Sequence, residues 1–385
     1  LDYKGKREIE NAAIPGDEGL IMRVVVAGGK LQGIEAAYLA RQAGWSVLLI
    51  DRNPSAPARG LSDQFCQLDI VEDADKLERL IKSADFIIPA IEDQAVLSCL
   101  DRTANSVGVP IACDLPSYTI TSSKKSSDKL FMENQIPAPQ YWPHCEFPVI
   151  AKPSGLSGSM GVKKILNERE LALFLDSEDY KRDEYVIQEF LEGESYSLEV
   201  IGCPGSYVPL QVTDLEMDAG YDCKRVLAPT KLTQDQILQF QKISLRIAEL
   251  LPLTGIMDVE VIDHHGILKV LEIDARLPSQ TPTTVYRSTG INMLAMLYDL
   301  YAKGQVGLPP DLSEEKGVIY EHVQITPGKI ETQGEHIIAQ AGCINYQQDF
   351  FGADEALTDY LPGSNRWAAT LIITADDRSQ AWKKR

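Results

Sequence analysis

Nothing in this 385-residue chain approaches the roughly 18 consecutive apolar residues of a membrane-spanning helix. Residues 1–21, "LDYKGKREIENAAIPGDEGLI", lack the basic start and long apolar centre of a secretory signal, and read as an extension or expression remnant, loosely ordered. Cysteines are few and scattered (Cys66, Cys99, Cys113, Cys145, Cys203, Cys223, Cys343), odd in number and without a C-x-x-C pair. That excludes a disulfide framework and a structural zinc site, and a reducing cytoplasm is the simplest home. Basic residues are short: 37 against 56 acids, a net charge of −19. Nucleic acid and anionic membrane are therefore disfavoured partners, and an anionic substrate needs a local basic cluster. The five histidines (His144, His264, His265, His322, His336) show no ligand spacing, and His264 and His265 fit a hairpin turn. No Ser-His-Asp or Cys-His constellation stands out, the G-x-x-x-x-G-K-[ST] phosphate loop is absent, and there is no internal repeat.

What is present is ordinary globular composition, 44% hydrophobic and 24% charged, in a chain long enough for two or three domains. "MRVVVAGGKLQGIEAAYLARQAGWSVLLIDRNP" (22–54) is a strand, a glycine turn, an amphipathic helix and a second strand ending in Asp51. "ADFIIPAIED" (84–93) and "VPIACD" (109–114) continue the alternation, so 22–114 is expected to form an open parallel sheet of Rossmann type. Residues 115–198 are expected to hold a linker with a helix over 126–134 and a small α+β lid, and 199–385 a catalytic domain. The lid carries "VIAKPSGLSGSMGVKKI", a strand–loop–strand, then a helix near Glu168 and "EYVIQEFLEGESYSLEVIG", two strands around a turn. A helix over 233–250, the hairpin "GIMDVEVIDHHGILKVLEIDA", and strands at 207–214, 317–325 and 368–374 follow.

The hairpin carries the chemistry. Glu260 lies on its first strand and Glu272 and Asp274 on its second, where positions i and i+2 share a face. A solvated acidic face is one reading. The apolar neighbours imply burial, however, and buried unpaired carboxylates are costly, so the three oxygen ligands point to a hard divalent cation such as Mg²⁺. Arg276 beside such a site suits a transferring phosphoryl group, or else an ion pair with Glu272 or Asp274. "KPSGLSGSMG" (152–161) is rich in small residues that let backbone N–H groups approach phosphate, with Lys152 leading in; a plain hairpin turn is the alternative. Glu92 ends a strand at the carboxyl edge of the first sheet, where ligands bind, although Glu92 and Asp93 equally fit as caps of the next helix.

A lysine, a Gly/Ser loop with its own lysine, the hinge "IQEFLEGE" and an acid twelve residues before an E-x-D pair together resemble the ATP-grasp carboxylate–amine ligases. The resemblance covers essentially everything after Met22. Family spacing to "QIPAP" places the first ATP lysine at Lys124; Ser123 in place of the family's aspartate and Gln135 in place of its glycine keep Lys125 as an alternative, and Lys129 is out of register. Within the family, "GGKLQGIEAAYLA", "GIMDVE", "EIDARLPSQTPT", "YDC" and "IYEH" resemble the ligases of pyrrolysine biosynthesis, which join 3-methyl-D-ornithine to the ε-amine of L-lysine. The resemblance implies an α/β and α+β ATP-grasp fold behind a Rossmann-like domain, with ATP and two Mg²⁺ ions held by Glu260, Glu272 and Asp274. It implies Lys152 and Arg276 as catalytic groups. Lys30, Asp51, Asp69, Ile70, Lys124, Lys152, Ser157, Ser159, Gln188, Glu189, Phe190, Leu191 and Glu194 would contact ATP. Asp222, Arg276, Ser279, Gln280, Thr281 and Glu321 would surround the ornithine-like acid, 3-methyl-D-ornithine or D-ornithine, while Leu31, Gln32 and Glu92 would contact lysine. Other readings are a ligase of different amino acids, an NAD-dependent oxidoreductase in which Asp51 holds the ribose, and an inactive ATP-grasp-shaped binding module.

Overall fold

The computed structural model describes residues 21–155, 158, 160–182, 184–307 and 314–385. The expected extension before residue 21 and the expected phosphate contacts Ser157 and Ser159 lie outside the described residues. The N-terminal unit runs β1 (Arg23–Ala27), α1 (Leu31–Gln42), β2 (Ser46–Asp51), β3 (Gln64–Gln67), α2 (Ala74–Ile81), β4 (Phe86–Pro89) and α3 (Gln94–Val107). Its strands are parallel in the order β3-β2-β1-β4. Val24 and Val26 of β1 face one apolar core and Val25 and Ala27 another, the two-sided burial of a parallel strand. The first glycine of "GGKLQG" sits at φ +106° with a Cβ position 2.3 Å from the Ala90 carbonyl oxygen, so no side chain fits there. The strand expected over 109–114 shrinks to one bridge, Ile87 to Ile111, because Asp114 already caps the next helix by accepting from the Ser117 N–H at 3.1 Å.

That helix is α4 (Leu115–Thr121), followed by α5 (Lys124–Glu133), β5 (Val149–Pro153), β6 (Lys163–Ile165), α6 (Glu168–Leu175), α7 (Glu178–Arg182) and β7 (Tyr185–Glu189). α5 starts two residues before the expected position, since the Ser123 hydroxyl caps it by accepting from the Ser126 N–H. The lid is an antiparallel sheet, β6-β5-β7, whose Val149, Ala151 and Ile165 pack on Leu171 and Phe174 of α6.

The rest of the chain forms β8 (Glu194–Cys203), β9 (Ser206–Pro209), β10 (Thr213–Met217), β11 (Cys223–Ala228), α8 (Gln234–Leu250), β12 (Gly255–His264), β13 (Ile267–Asp274), α9 (Thr281–Thr289) and α10 (Met293–Lys303). Then come β14 (Gly317–Thr326), β15 (Lys329–Thr332), α11 (His336–Ala339), β16 (Asn345–Phe350), β17 (Ala353–Thr358), β18 (Trp367–Ala375) and α12 (Arg378–Lys384). These strands join in one antiparallel sheet ordered β13-β12-β8-β10-β11-β14-β18-β17-β16, with β9 beside β8 and β15 beside β14. β8 belongs wholly to this sheet, where its Tyr196, Leu198 and Val200 pack beneath Phe240 and Ile247 of α8. The lid strands therefore end at Glu189, and the expected boundary at residue 198 falls inside a strand. On the opposite face Ile201, Val226, Tyr320, Val285 and Leu297 share one core with Val24, Leu49 and Ile88 of the N-terminal sheet. Each fully buried aliphatic side chain there contributes about 1.5–3 kcal/mol, which holds the first domain against this face. No helix among the described residues is long and apolar enough to cross a membrane.

Candidate active site

Three neighbouring strands build an acidic surface. Cross-strand pairing places Glu199, Asp258 and Asp274 in one row across β8, β12 and β13, and Ser197, Glu260 and Glu272 in the next. Rows two residues apart point the same way, while the intervening Leu198, Val259 and Ile273 fill the core under α8. A β-bulge between Glu260 and Val261 leaves Leu271 unpaired on β13 and changes the phase of that strand. Leu268 and Val270 before it, and Ile273 and Ala275 after it, thereby all face the core, and Glu272 and Asp274 turn inward together.

Burial raises the carboxyl pKa values of Glu199, Asp258, Glu260 and Asp274, and neighbouring carboxylates push them further up. Ser197 donates to Asp258 Oδ1 at 2.5 Å, whereas Glu199 Oε2 is buried without a hydrogen-bond partner among the described residues. An all-oxygen set this crowded fits a hard divalent cation, which would let the carboxylates stay ionised. Glu199 and Asp258 are additions to the sequence reading. The polar alternation of "SYSLEV" and the i−2 spacing of Asp258 from Glu260 carried the signal.

Three cations meet the acids. The Lys124 ammonium, at the first position of α5, lies 2.6 Å from Glu272 Oε1. Burial opposes its charge, but Glu272, then Asp274 and Glu260, outweigh it and hold the pKa above its ordinary value. Lys152 is buried at the end of β5; burial pulls its pKa down, Glu272 favours its charge and Lys124 opposes it. Arg276 Nη2 bridges Asp274 Oδ2 at 3.0 Å and Glu92 Oε1 at 2.7 Å, and its buried Nε has no partner among the described residues. Lys125 instead pairs with Glu184 and is exposed, and Lys129 is 70% exposed beside Glu133.

Glu92 also accepts from Gln32 Nε2 at 2.7 Å, so the turn before α1 is tied through Glu92 and Arg276 to the acidic strands. Asp93 alone caps α3, accepting from the Ala95 and Val96 N–H groups, which separates the two roles left open for the Glu92–Asp93 pair. Leu31 packs against the shared core. Lys30 is exposed where α1 begins. The Asp51 carboxylate accepts from the Gly29 and Asn53 N–H groups at 2.7 Å each, holding the glycine turn. Asp69 Oδ1 accepts from the Val71 and Glu72 N–H groups, and Ile70 is buried with its carbonyl facing the Cys99 thiol.

At the hinge, Glu189 pairs with Lys269 at 2.6 Å and exchanges hydrogen bonds with Gln140. Gln188 Nε2 is a buried donor without a partner among the described residues. The Phe190 ring lies 3.6 Å from the Lys164 ammonium, Leu191 is buried, and Glu194 Oε2 accepts from the Tyr196 hydroxyl. His264 ends β12 and its Nδ1 lies 3.0 Å from the Glu192 carbonyl oxygen, so the hairpin turn braces this hinge.

The loop before α9 forms a second cluster. Ser279 Oγ and Gln280 Nε2 both donate to Glu335 Oε2, at 2.8 and 2.7 Å. Gln280 has φ +70°, a left-handed conformation unusual for a side-chain-bearing residue. The Thr281 hydroxyl faces Glu199 without meeting hydrogen-bond geometry. Asp222 Oδ2 lies 2.5 Å from His336 Nδ1 and accepts from the His336 N–H. Glu335 was not expected from the sequence: it lies 55 residues beyond Gln280, and only the tertiary fold joins them. Glu321 does not join this cluster. On β14 its neighbour Tyr320 points to the shared core, so Glu321 points to the opposite face, where Arg225 at 2.9 Å and a bidentate Arg385 at 2.5 and 2.7 Å consume its carboxylate. Despite burial, Arg385, Arg225 and Thr332 draw its pKa down to about 2.

Comparison with known proteins bears on this arrangement. Residues 24–112 match the family model "PylC-like, N-terminal domain", and residues 121–280 match "ATP-grasp domain". The chain is 34% identical to the 3-methyl-D-ornithine–L-lysine ligase of Methanosarcina acetivorans, over 94% of this chain and 95% of that protein. The same-named enzyme of Methanosarcina mazei is 35% identical over 93% and 92%. The chain belongs to the 3-methyl-D-ornithine–L-lysine ligase family. It is thus an ATP-dependent carbon–nitrogen ligase of ATP-grasp fold with a Rossmann-like domain in front. Solved structures show the same fold across wider distance. The biotin carboxylase domain of Hydrogenobacter thermophilus 2-oxoglutarate carboxylase, solved with MgADP, gives a TM-score of 0.72 at 16% identity over 95% of this chain and 89% of that one. N5-carboxyaminoimidazole synthetase from Staphylococcus aureus, solved with ADP, gives 0.69 at 15% identity over 94% and 96%. Family membership leaves no ground for the oxidoreductase reading of Asp51.

Proposed function

We propose that the chain joins the carboxylate of 3-methyl-D-ornithine, or of D-ornithine, to the ε-amine of L-lysine, releasing ADP and phosphate, as in pyrrolysine biosynthesis. The observation that carries this reading is the convergence of Lys124, Lys152 and Arg276 on the carboxylates of β12 and β13.

A carboxylate is a poor electrophile because its oxygen does not leave. Attack of that oxygen on the γ-phosphorus of ATP expels ADP and gives an acyl phosphate. The ε-amine of lysine, entering as the free base, then attacks the carbonyl carbon and phosphate departs. The chain's task is to hold three reactants in line, balance phosphate charge and keep water out. Glu260, Glu272 and Asp274 would hold Mg²⁺, with two ions as our reading, and the metal would neutralise the phosphate oxygens. Lys124 and Lys152 supply fixed positive charge where the triphosphate lies, despite the overall −19. Arg276, with its unpaired Nε, is placed to neutralise the phosphoryl group in transit. Gln188 and the hinge would read adenine, with Glu189, Phe190, Leu191 and Glu194 lining the nucleoside. Lys30, Asp51, Asp69 and Ile70 would complete the nucleotide contacts from the first domain. Leu31, Gln32 and Glu92 would face lysine, and Asp222, Ser279, Gln280 and Thr281 the acid. Seven unpaired cysteines suit a reducing cytoplasm.

The test is direct. Incubation with MgATP, L-lysine and D-ornithine should yield the condensed product by mass spectrometry, with ADP and phosphate. AMP and pyrophosphate, or no product from correctly folded protein, would overturn it.

A further inference from the structure

One buried carboxylate joins α1 to α9. Glu35 of α1 accepts through Oε2 from the Thr283 N–H at 3.0 Å and the Thr283 hydroxyl at 2.6 Å, and through Oε1 from the Tyr320 hydroxyl at 2.7 Å. The first turn of α9 explains the contact. Gln280 stands at the N-cap and gives no side-chain cap. The Thr281 N–H donates to the Ser279 carbonyl oxygen and Pro282 has no N–H, so Thr283 carries the N–H that an N-cap side chain ordinarily takes. Glu35 takes it instead, from another domain, and sets its carboxylate at the positive end of the helix. Burial raises the Glu35 pKa, and the hydrogen bonds from Thr283 and Tyr320 work the other way. Docking the domains does not require a buried carboxylate, which is costly to desolvate. Ile34, Val285 and Leu297 already share an apolar core there, and Tyr38 of α1 donates to Glu355 Oε2 at 2.5 Å. What directional hydrogen bonds add to apolar packing is a fixed register.

We propose that Glu35 is a positioning residue: by capping α9 from α1, it fixes the separation between the lysine amine at the Leu31–Gln32 turn and the acyl phosphate formed beside Ser279–Thr281. This rests on the ligase reading of the site and deepens it. Glu35 follows Leu31 by about one turn of α1, and Thr283 lies in the first turn of α9, so the cap couples the two helix ends that present the reactants. An amine and an acyl carbon react when held about 3–3.5 Å apart, and a misplacement of about 1 Å costs about a hundredfold. Glu35 acts through α9 and not by touching substrate.

The experiment sets two nucleophiles against each other at saturating MgATP and D-ornithine. L-lysine must be positioned by the first domain, whereas hydroxylamine at a fixed concentration intercepts the acyl phosphate from solution, giving a hydroxamate and phosphate. Both products are followed by mass spectrometry in wild type, Glu35→Leu, Glu35→Gln and Tyr38→Phe, with folding checked by thermal melting. Glu35→Leu should lower the rate with lysine about ten- to a hundredfold relative to the rate with hydroxylamine. Glu35→Gln, whose amide oxygen still accepts from the Thr283 N–H, should keep that ratio within about threefold of wild type. Tyr38→Phe removes a hydrogen bond between the domains without touching the first turn of α9, and should lower the melting temperature with the ratio unchanged. An unchanged ratio in folded Glu35→Leu, or an equal shift in Tyr38→Phe, would overturn the proposal. If Glu35→Leu does not fold, Glu35→Asp takes its place: it withdraws the carboxylate by one methylene, the same split is expected, and an unchanged ratio overturns the proposal equally. Failure of the ligase reading looks different. Wild type that forms hydroxamate but no lysine product, or neither, would remove that reading and the proposal with it, whereas an active wild type with unshifted variants would remove the proposal alone.

Discussion

Replacing Lys124 by Met isolates the charge that the structure sets against the acids of β12 and β13. The Lys124 ammonium is 14% exposed and 2.6 Å from Glu272, at the start of α5 and close to Asp274 and Glu260. Methionine keeps most of the length and apolar stem, and Ser123 still caps the helix, so the fold should survive. One charge-assisted contact to a phosphate oxygen is worth about 1.5–3 kcal/mol, so kcat/KM for ATP should fall about ten- to a hundredfold. Glu272 loses its positive partner as well, and an isolated carboxylate in a crowded acidic face should make the dependence on Mg²⁺ concentration steeper. Lys129→Met serves as control. That residue is 70% exposed beside Glu133 at 3.8 Å, and should change activity by less than about twofold, within about 0.5 kcal/mol. Initial rates by coupled ADP detection across ATP and Mg²⁺ concentrations decide it. A severe Lys129→Met defect with near-normal Lys124→Met would show the nucleotide site to be built on another register.

Glu272→Gln should remove turnover at all ATP concentrations while leaving the melting temperature within a few degrees of wild type; a folded variant with near-normal rates at modest Mg²⁺ would dismiss the metal assignment. Glu321→Gln should act on stability alone, since removing one partner of a buried ion pair costs about 3–5 kcal/mol; a raised KM for D-ornithine without a lower urea midpoint would return Glu321 to the substrate site. His322 is buried neutral, its pKa pushed down to about 3 by burial. The unfolded chain takes up a proton near pH 6.5 and the folded one does not, so stability is full above 6.5 and falls as pH drops toward 3. At pH 5 this loss is about 2 kcal/mol. Urea unfolding at pH 7 and 5 should show His322→Gln lacking that share of the decline, and an identical decline in both proteins would refute it.

Much of this was legible in the chain because the relevant signals are local. The β12–β13 hairpin announces itself through the turn at Asp263–Gly266 and the i, i+2 acids of β13, and the glycine turn through its spacing. Family spacing pointed to Lys124, which the fold sets against Glu272, and the cap at Ser123 explains why a helix starts where the expected range did not. The bulge at Leu271 was invisible because a phase change on one strand is defined only by its partner. Glu321 was misplaced for a related reason: a motif fixes a residue's position along β14 but not which face it serves, and Arg225 and Arg385 come from distant sequence. Glu335 and the Glu92–Arg276 contact likewise depend on elements brought together only by the shared core. The lid boundary was placed late because β7 and β8 read as one hairpin, although each pairs in a different sheet.

The central claim is activation of a carboxylate as an acyl phosphate at the Lys124–Lys152–Arg276 cluster, and isotope transfer tests it most directly. D-ornithine labelled with ¹⁸O in both carboxylate oxygens is turned over with MgATP and L-lysine, and the released phosphate is examined by mass spectrometry. The account predicts one ¹⁸O atom per phosphate, matched by one ¹⁸O left in the amide product. Unlabelled phosphate, or label appearing in AMP, would contradict it.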